Sequence, residues 1–447
     1  GNFIFFYFFY STQSQEHKLP RFRKISDSML ADLLYYLLPY QIFKSVFFRG
    51  GLAFLITYFI VNSAFPSIIR LFRNKGITSD FKKVEISTGP YQGATPIMGG
   101  IVLIPAIILS VFMWAKINQF TISLLIIIIS FSAVGCIDDI AKVLHKRRIE
   151  AGVQKKKAYA EKADGIRGEI RLMIEFGISI LVVSALFWVY QGINGSLHVP
   201  MIPMKNWFPQ MPTVLFIPFV TLLIVGGANA VNFTDGIDTL ATIPIMTCSI
   251  FIAAAAYLAG DLEWSERLKL LYISDDIKEV AVFALAIIAA CAGFLRFNSP
   301  PASIYMGDVG SLGLGAAVCS MFIFVKAELY LPIVGGTFVL AALSSICQRV
   351  WFKIALWSKG RQWAEKNRFF YKAPYHHHQQ EMLTFYDNKP PVESVWHNFL
   401  SKLGLAKIKD EDKYRSREQV NNKVIWKNHL RSILLLVVAA MIYLKVR

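Results

Sequence analysis

Two amides and two carboxylates stand close together in the segment NAVNFTDGID, at residues 229–238. Long apolar runs flank this segment, VLFIPFVTLLIVGGA before it and TLATIPIMTCSIFIAAAAYLA after it. Polar groups that accompany hydrophobic stretches of membrane length are costly, and they usually mark a functional site. The segment therefore predicts a site at the edge of a bilayer.

Four other polar stretches accompany apolar runs: ATPIMGG at 94–100, CIDDIAK at 136–142, FNSPPASIYMGDVGS at 297–311 and APYHHHQQ at 373–380. Several carboxylates without cysteines at metal-binding spacing favour a hard ion, and Mg²⁺ commonly bridges one or two Asp to phosphate oxygens. Amides and imidazoles are donors for phosphates or a nucleobase, and glycines let backbone N–H groups approach anions. Phosphoryl transfer fits these residue types, because it relies mainly on positioning and charge neutralisation.

The composition predicts an all-α polytopic integral membrane protein. The chain has 447 residues, is 55% hydrophobic and has a mean hydropathy of +0.45, which is unlike ordinary soluble domains. Apolar runs near the roughly 20 residues needed to cross a bilayer recur along the chain. We predict about ten transmembrane helices, near residues 51–72, 98–115, 120–141, 172–190, 212–231, 237–259, 278–296, 309–327, 331–353 and 429–445.

The distribution of charge predicts how these spans are oriented. The net charge of +17 arises chiefly from Lys and Arg in the connections that follow spans 1, 3 and 9. By the positive-inside rule these connections are cytoplasmic and both termini face outward, so the charge indicates topology rather than nucleic-acid binding. The five polar stretches follow spans 1, 3, 5, 7 and 9. All five are therefore predicted on the cytoplasmic face, whereas random polar loop residues would fall on both faces.

Each polar stretch also has a structural interpretation. Asp138 and Asp139 could cap a helix or pair with Lys142, and adjacent helical positions point about 100° apart, so the two carboxylates would serve different partners. Asp235 and Asp238 share a face if span 6 begins there. Taken singly, these interpretations are about as good as a functional one. Taken together on one face of the membrane, the set favours a functional site.

Two connections between spans are unusually long. Residues 142–171 are basic and compatible with a helix, and residues 354–428 are long enough for a small cytoplasmic subdomain, with a flexible insert as the alternative. The five cysteines are scattered through the apolar spans or at their ends and are interpreted as packing residues. Residues 1–28 are predicted to be an extension outside the functional part, and residues 29–447 to form the ten-span domain.

The five stretches resemble the ordered motifs of the polyprenyl-phosphate N-acetylhexosamine-1-phosphate transferases. TPIMGG, the Thr-Asp-Gly after NAVN, and AP-x-HHH are similar to the phospho-N-acetylmuramoyl-pentapeptide transferase branch rather than the UDP-N-acetylglucosamine branch. The resemblance covers roughly residues 45–445, apart from the two long connections. It implies an Mg²⁺-dependent enzyme of the bacterial cytoplasmic (inner) membrane, with its active site on the cytoplasmic side. That enzyme would join UDP-N-acetylmuramoyl-pentapeptide to undecaprenyl phosphate, giving lipid I and UMP.

The same resemblance implies roles for individual residues. Asp308 would bind the metal and act in catalysis, and Asp138 and Asp139 would hold or deprotonate the lipid phosphate. Tyr305 replaces a usual Phe that stacks on uracil, and its ring can still stack. The residues implied to contact the nucleotide sugar are Asn232, Asp235, Gly236, Ile237, Asp238, Asn298, Tyr305, Gln348, His376, His377 and His378.

The chemistry of the acceptor bears on the role of the paired acids. Because the second pKa of a phosphomonoester is about 6, the lipid phosphate is largely dianionic near neutral pH and leaves a general base little to remove. Direct attack by this phosphate, oriented by Asp138 or Asp139, is therefore favoured. A two-step route through an aspartyl-phosphate stays open.

The chain departs from the family pattern at several positions. Gln92 stands near the place of a usual Lys, for which Lys82 or Lys83 could substitute in space. Arg171 stands about where a Lys follows the span 3 connection, and Thr239 replaces a usual Gly. These departures bear on substrate affinity more than on the class of reaction.

Two other functions remain open from the sequence. A sibling transferase would use UDP-N-acetylglucosamine for a different glycan. A secondary transporter would use acidic residues to bind a coupling ion, but such sites lie near the bilayer midplane, whereas these acids lie at span ends. The sequence also leaves the oligomeric state open, a homodimer included.

Overall fold

The computed structural model describes residues 29–78, 95–150, 165–189, 193–201, 210–384, 393–403 and 417–445. The predicted extension at residues 1–28 lies outside the described residues. Gln92, which stands near the place of a usual Lys, also lies outside them, as do Lys82 and Lys83, which could substitute for that Lys.

The described chain is almost entirely helical, with sixteen α-helices. A five-residue π-helical turn, Ala185–Val189, extends α5. In chain order the helices are α1 Met29–Leu37, α2 Val46–Asn74, α3 Gly100–Trp114, α4 Gln119–Glu150, α5 Gly168–Ser184, α6 Thr213–Thr234, α7 Thr242–Ala259, α8 Leu262–Leu268, α9 Lys278–Asn298, α10 Gly307–Phe324, α11 Leu331–Val334, α12 Gly336–Lys359, α13 Arg361–Lys366, α14 Tyr375–Thr384, α15 Val395–Lys402 and α16 Arg417–Lys445.

The predicted membrane architecture is confirmed. Within the described ranges, nine helices are long and apolar enough to cross a membrane: α2, α4, α5 with its π-helical turn, α6, α7, α9, α10, α12 and α16. The remaining predicted span corresponds to α3, an apolar helix of 15 residues. The protein is therefore an all-α, multi-pass membrane protein.

Several boundaries differ from the predicted ones. Span 6 was expected to begin at residue 237, but α7 begins at Thr242 and residues 235–241 form turns. The expectation that Asp235 and Asp238 share a helical face is therefore wrong. The helices α4 and α16 also continue well past the apolar runs, to Glu150 and from Arg417. Hydropathy detects the lipid-facing part of a helix, whereas a polar extension in water leaves no such signal.

The helix α10 lies at the centre of the bundle and positions the polar stretches. About 89% of the residues in its membrane-length apolar stretch are buried, and the helix packs against α3, α4, α6 and α7. Small residues permit this, as at Gly135 in α4, where an added Cβ would lie 2.2 Å from the carbonyl oxygen of Asp308. Such contacts let helix backbones approach closely in a membrane. The start of α10 is thereby fixed against the part of α4 around Gly135.

The long connection at 354–428 contains folded structure in its described parts. Two-residue strands, β1 Asn367–Arg368 and β2 Glu393–Ser394, pair in parallel. The rings of Phe369, Phe370 and Trp396 pack together next to Trp351 of α12. This packing holds α15 beside the end of α12.

A buried ion pair joins three helices at the end of the bundle opposite the polar stretches. Arg49 of α2 donates to both carboxylate oxygens of Glu279 of α9, each at 2.6 Å, and to the carbonyl oxygen of Trp114 at the end of α3, at 3.0 Å. The two side chains are only 1% and 4% exposed. Because each charge depends on the other, removing one leaves an uncompensated buried charge.

We expect Glu279→Gln to lower the free energy of unfolding by about 3–5 kcal/mol, the usual cost of breaking a buried pair. Thermal unfolding in detergent measures this as a fall in the transition midpoint. The matched control is Glu263→Gln, since Glu263 pairs with Arg267 on the surface, where both side chains are mostly exposed. That change should cost at most about 1 kcal/mol. Equal shifts for the two variants would show that burial does not strengthen the Arg49 pair.

Candidate active site

Asp308 occupies the first turn of α10 and binds side chains from three other helices. Its Oδ2 accepts a hydrogen bond from the Lys142 ammonium at 2.8 Å and lies 3.4 Å from the guanidinium of Arg171. Its Oδ1 accepts from the Asn232 amide at 2.8 Å. The carboxylate is 15% exposed, so it is accessible from the surface at one edge. Asp308 therefore lies where α4, α5, α6 and α10 meet.

The two adjacent acids of α4 accept backbone hydrogen bonds from different partners, as their helical spacing predicted, although both lie near Lys142. Asp138 accepts the backbone N–H of Ile166 at 2.7 Å and pairs with Lys142 at 2.7 Å. Asp139 accepts the backbone N–H of Val309 at 3.2 Å. Because the first N–H groups of a helix lack partners within it, Asp139 caps α10. Its geometry therefore fixes the turn that carries Asp308.

Two cations complete this group, which we call the carboxylate centre: Asp138, Asp139, Asp308, Lys142 and Arg171. Besides its close contacts, Lys142 lies 3.9 Å from Asp139, and Arg171 lies 3.7 Å from Asp138. Neither cation was among the site residues predicted from the sequence. The signal in the sequence was the position of Lys142 one helical turn after Asp138, the spacing at which side chains meet.

The turns at 235–241 carry the rest of NAVNFTDGID. Burial, with repulsion from Asp308 and Asp139, raises the pKa of Asp235 well above its usual value. Burial also raises the pKa of Asp238, although its Oδ2 accepts the backbone N–H of Ala302 at 3.0 Å. Ile237 lies between them, half-buried, and its carbonyl accepts the N–H of Leu240. Because the negative charge of these acids is destabilised, a cation bound beside them would be stabilised by neutralising that charge.

Asn298 and Gln348 bind backbone groups of neighbouring loops. The Asn298 Oδ1 accepts from the N–H of Thr239 at 2.8 Å, and its amide donates to the carbonyl of Ile304 at 3.1 Å. The Gln348 Oε1 accepts from the N–H of Phe370 at 2.8 Å. These contacts join the turns and loops around the site to one another. A direct contact of either residue with substrate stays a prediction.

Tyr305 ties the ATPIMGG stretch to the loop before α10. Its N–H donates to the Pro96 carbonyl and its own carbonyl accepts from Gly99, both at 2.9 Å. The ring is half-buried. Burial, with a contribution from Asp238, raises the pKa of its hydroxyl, so the side chain is neutral at physiological pH.

The three consecutive histidines of α14 divide between two surroundings. His376 and His377 lie beside Gly236, where an added Cβ would lie 3.0 Å from the Nε2 of His376. His378 points into an aromatic cluster with Phe370, and its Nδ1 accepts the N–H of Tyr371 at 3.2 Å. Burial, with His397 nearby, lowers the pKa of His378 to about 4. The first two histidines therefore lie beside the turns at 235–241, and the third packs α14 in place.

The structure thus brings all five polar stretches to one end of the bundle, as their spacing along the chain predicted. Comparison with known proteins then assigns the chain to a family. Residues 121–326, from α4 to just beyond α10, match the family model described as glycosyl transferase family 4.

Three curated proteins named phospho-N-acetylmuramoyl-pentapeptide-transferase are similar to the chain over most of their length. The protein of Bartonella quintana is 35% identical over 345 residues, 76% of this chain and 86% of its own. The protein of Thermodesulfovibrio yellowstonii is 34% identical, covering 78% and 91% respectively. The protein of Dinoroseobacter shibae is 34% identical, covering 83% and 96%.

The chain belongs to the phospho-N-acetylmuramoyl-pentapeptide-transferase family. The resemblance read from the five motifs is confirmed, and the protein is a phosphosugar transferase. The UDP-N-acetylglucosamine branch is not favoured, since these relatives carry the other name. The match to the family model spans Asp138 to Asp308 but does not reach α14.

In this transferase, the oxygen atoms around Asp308 are suitable ligands for a divalent cation, with further ligands supplied by the phosphates of the substrate. Among the described residues, no three His, Cys, Asp or Glu side chains form a ready metal cage. Mg²⁺ does not require one, because it usually binds one or two carboxylates together with phosphate oxygens and water. Asp308 supplies an accessible carboxylate, with Asn232 beside it and an excess of acids around it. The residues present therefore fit the ion.

An apolar groove of about 500 Å³ leads from the carboxylate centre along the bundle. At the site end its walls include Arg171, Asn229 and Arg349. Beyond these residues it is lined mainly by apolar side chains of α6, α10, α11 and α12, as far as Pro332 near the opposite end of the bundle. The groove thus joins cationic groups at one end to a long apolar surface.

Proposed function

We propose that the protein transfers phospho-N-acetylmuramoyl-pentapeptide from its UDP-linked donor to undecaprenyl phosphate, giving lipid I and UMP in peptidoglycan synthesis. The single observation that carries this proposal is the junction of the apolar groove with the carboxylate centre at Arg171. A lipid with a charged head group needs an apolar surface for its chain directly beside a charged site for its head group. The names of the relatives add the donor class.

The groove fits the acceptor by its chemistry. A polyprenyl chain would lie against the apolar walls, for example Leu222, Phe338 and Ile346. Its phosphate would then reach the end where Arg171 and Arg349 lie. Guanidinium groups bind phosphate oxygens in pairs of hydrogen bonds, so the phosphate would be held facing Asp308.

The nucleotide end of the donor fits the turns and the loop beside the centre. Tyr305 offers a half-buried ring for the base, and the turns at 235–238 offer backbone and side-chain partners for the nucleoside. His376 is 3% exposed, and its Nε2 has no hydrogen-bond partner among the described residues. Since a buried polar atom without a partner is costly, this nitrogen is suited to the diphosphate or sugar.

The arrangement favours a single displacement at the donor phosphorus. The dianionic acceptor phosphate needs no base, and both oxygens of Asp138 are engaged, by Ile166 and by Lys142. Asp138 therefore orients Lys142 and Arg171, which stabilise the negative charge of the reacting phosphates. Bound Mg²⁺, held by Asp308, would neutralise charge on the diphosphate. Asp139 holds the α10 turn and so places Asp308.

The transfer itself is tested by UMP release from the purified protein. We expect UMP from UDP-N-acetylmuramoyl-pentapeptide only when undecaprenyl phosphate and Mg²⁺ are both present. UDP-N-acetylglucosamine should give no UMP under the same conditions. Release from UDP-N-acetylglucosamine instead would assign the protein to the sibling reaction.

Replacing Tyr305 tests the proposed stack on the base. We expect Tyr305→Ala to weaken donor binding by about 1–3 kcal/mol, the effect of losing one base–aromatic stack. Tyr305→Phe keeps the ring and should change binding little. The measurement is the KM for the UDP donor at saturating acceptor. If Phe is as damaging as Ala, the hydroxyl matters and the stacking assignment is wrong.

We place the protein in the bacterial cytoplasmic membrane with residues 29–447 as one transferase unit and the carboxylate centre facing the cytoplasm. The basic connections on the same side as the site support this orientation. In a Cys347→Ser background, a membrane-impermeant thiol reagent should label Glu263→Cys but not Ser401→Cys in intact cells. Both positions are exposed, and α8 and α15 lie at opposite ends of the bundle. The reverse pattern would invert the orientation.

A further inference from the structure

Glu175 is a buried acid within the membrane-spanning part of α5. Its side chain is 0% exposed, and the helix around it is apolar, as in LMIEFGISILVV. A carboxylate in such a place is costly and is usually paired and functional. The motifs in the sequence did not include it.

The partners of Glu175 are residues at the mouth of the groove. Its Oε2 accepts from the Asn229 amide at 2.6 Å, and its Oε1 lies 3.5 Å from the Nε of Arg171. Arg171 in turn donates from a terminal nitrogen to the Oδ1 of Asn229 at 2.9 Å. Glu175, Arg171 and Asn229 therefore form a triangle in which two sides are hydrogen bonds, and the third, between Glu175 and Arg171, is an ion pair without a hydrogen bond.

Glu175 and Asn229 contact the Nε and one terminal nitrogen of the Arg171 guanidinium. The other terminal nitrogen faces the carboxylate centre. The remaining terminal nitrogen of Arg171 lies 3.4 Å from Asp308 and 3.7 Å from Asp138. Among the described residues, the carboxylates in contact with Arg171 are Asp138, Asp308 and Glu175, so removing the charge of Glu175 leaves only the two acids of the reaction centre. The negative charge of Glu175 therefore competes for Arg171 from the side opposite the reacting groups.

We propose that Glu175 is a positioning residue for the acceptor: it holds Arg171 and Asn229 in the orientation that receives the lipid phosphate. This inference rests on the proposed function, because it takes the acceptor to be a polyprenyl phosphate. A planar guanidinium binds phosphate well only in a fixed orientation. Supporting hydrogen bonds from a neighbouring residue commonly provide that orientation.

The test is steady-state kinetics of Glu175→Gln, which keeps the shape but removes the charge. We expect the KM for undecaprenyl phosphate to rise about tenfold, equivalent to about 1.4 kcal/mol, while the KM for the UDP donor stays unchanged. The control is Glu169→Gln, an exposed Glu at the start of the same helix, which should change neither constant. A general structural role would instead lower kcat or raise both KM values together.

A double-mutant cycle with Arg171→Lys shows whether Glu175 acts through Arg171. If it does, Glu175→Gln should add little to the acceptor KM of Arg171→Lys, since coupled residues are not additive. Additive effects would overturn the proposal. If Glu175→Gln does not fold, Glu175→Asp takes its place, because it keeps the charge but shortens the reach. An unchanged acceptor KM in that variant would also overturn it.

The wild-type reaction in the same assay separates this inference from the proposed function. If the wild-type protein releases no UMP with undecaprenyl phosphate, the proposed function fails. If the wild type is active and the Glu175 variants keep its acceptor KM, only the positioning role fails.

Discussion

Asp308→Asn should reduce kcat for UMP release by roughly 10³-fold or more, the scale on which a missing charge stabiliser acts in a reaction centre. The amide keeps the size of the side chain and one acceptor oxygen for Asn232, but it loses the charge that faces Lys142 and Arg171. It also loses the accessible carboxylate of the centre. UMP release measured at saturating substrates reports the change directly.

The stability of Asp308→Asn should not fall with its activity. Asp308 belongs to a group in which acids outnumber cations, and it contributes to the raised pKa of Asp235. Removing its charge relieves that repulsion, so the thermal midpoint should be equal to or above that of wild type. Asp276→Asn, an exposed change at the opposite end of the bundle, is the matched control and should keep full activity. A large loss of stability in Asp308→Asn would show that the acid is mainly structural.

Gly135→Ala should lower turnover by about 10²-fold, although residue 135 contacts no substrate in this account. The added Cβ would lie 2.2 Å from the Asp308 carbonyl oxygen and 2.7 Å from the N of Val309. Because both are backbone atoms, α4 and the start of α10 must separate. A displacement of about 1 Å between reacting groups can cost about 10²-fold in rate. The measurement is kcat together with the thermal midpoint.

Gly177→Ala provides the control for Gly135→Ala. Gly177 lies in α5, and among the described residues no atom beyond the adjoining backbone of its own helix lies within 4 Å of an added Cβ there. Since Ala is favoured over Gly by about 1 kcal/mol inside a helix, this variant should be active and at least as stable as wild type. If Gly135→Ala behaves in the same way, the close approach of α4 and α10 does not place the carboxylate centre.

The sequence allowed the architecture and the grouping of the motifs to be predicted for clear physical reasons. Apolar runs must match the thickness of the bilayer, so the spans could be counted. Every second connection of such a chain lies on the same side of the membrane. The five polar stretches follow odd-numbered spans, so they had to lie at one end of the bundle. The different backbone hydrogen-bond partners of Asp138 and Asp139 also followed, because neighbouring positions of a helix point in different directions.

Contacts between distant segments could not be predicted in the same way. The contact of Lys142 with Asp308 depends on how α4 crosses α10, and the contact of Arg171 with Asn229 depends on how α5 meets α6. No periodicity in a single helix encodes such crossings. The roles of Asn298 and Gln348 in joining loops were likewise hidden, because an amide that binds a backbone group has no signature in the sequence.

A titration of Mg²⁺ against UMP release for wild type, Asp308→Asn and Asp138→Asn directly tests whether Asp308 holds the metal. We predict that Asp308→Asn needs far more Mg²⁺ for its half-maximal rate, with part of its activity restored by excess ion. Asp138→Asn should be slower at every concentration but keep the wild-type half-maximal Mg²⁺, since it acts through Lys142 and Arg171. A shift in metal dependence for Asp138→Asn, with none for Asp308→Asn, would contradict the account.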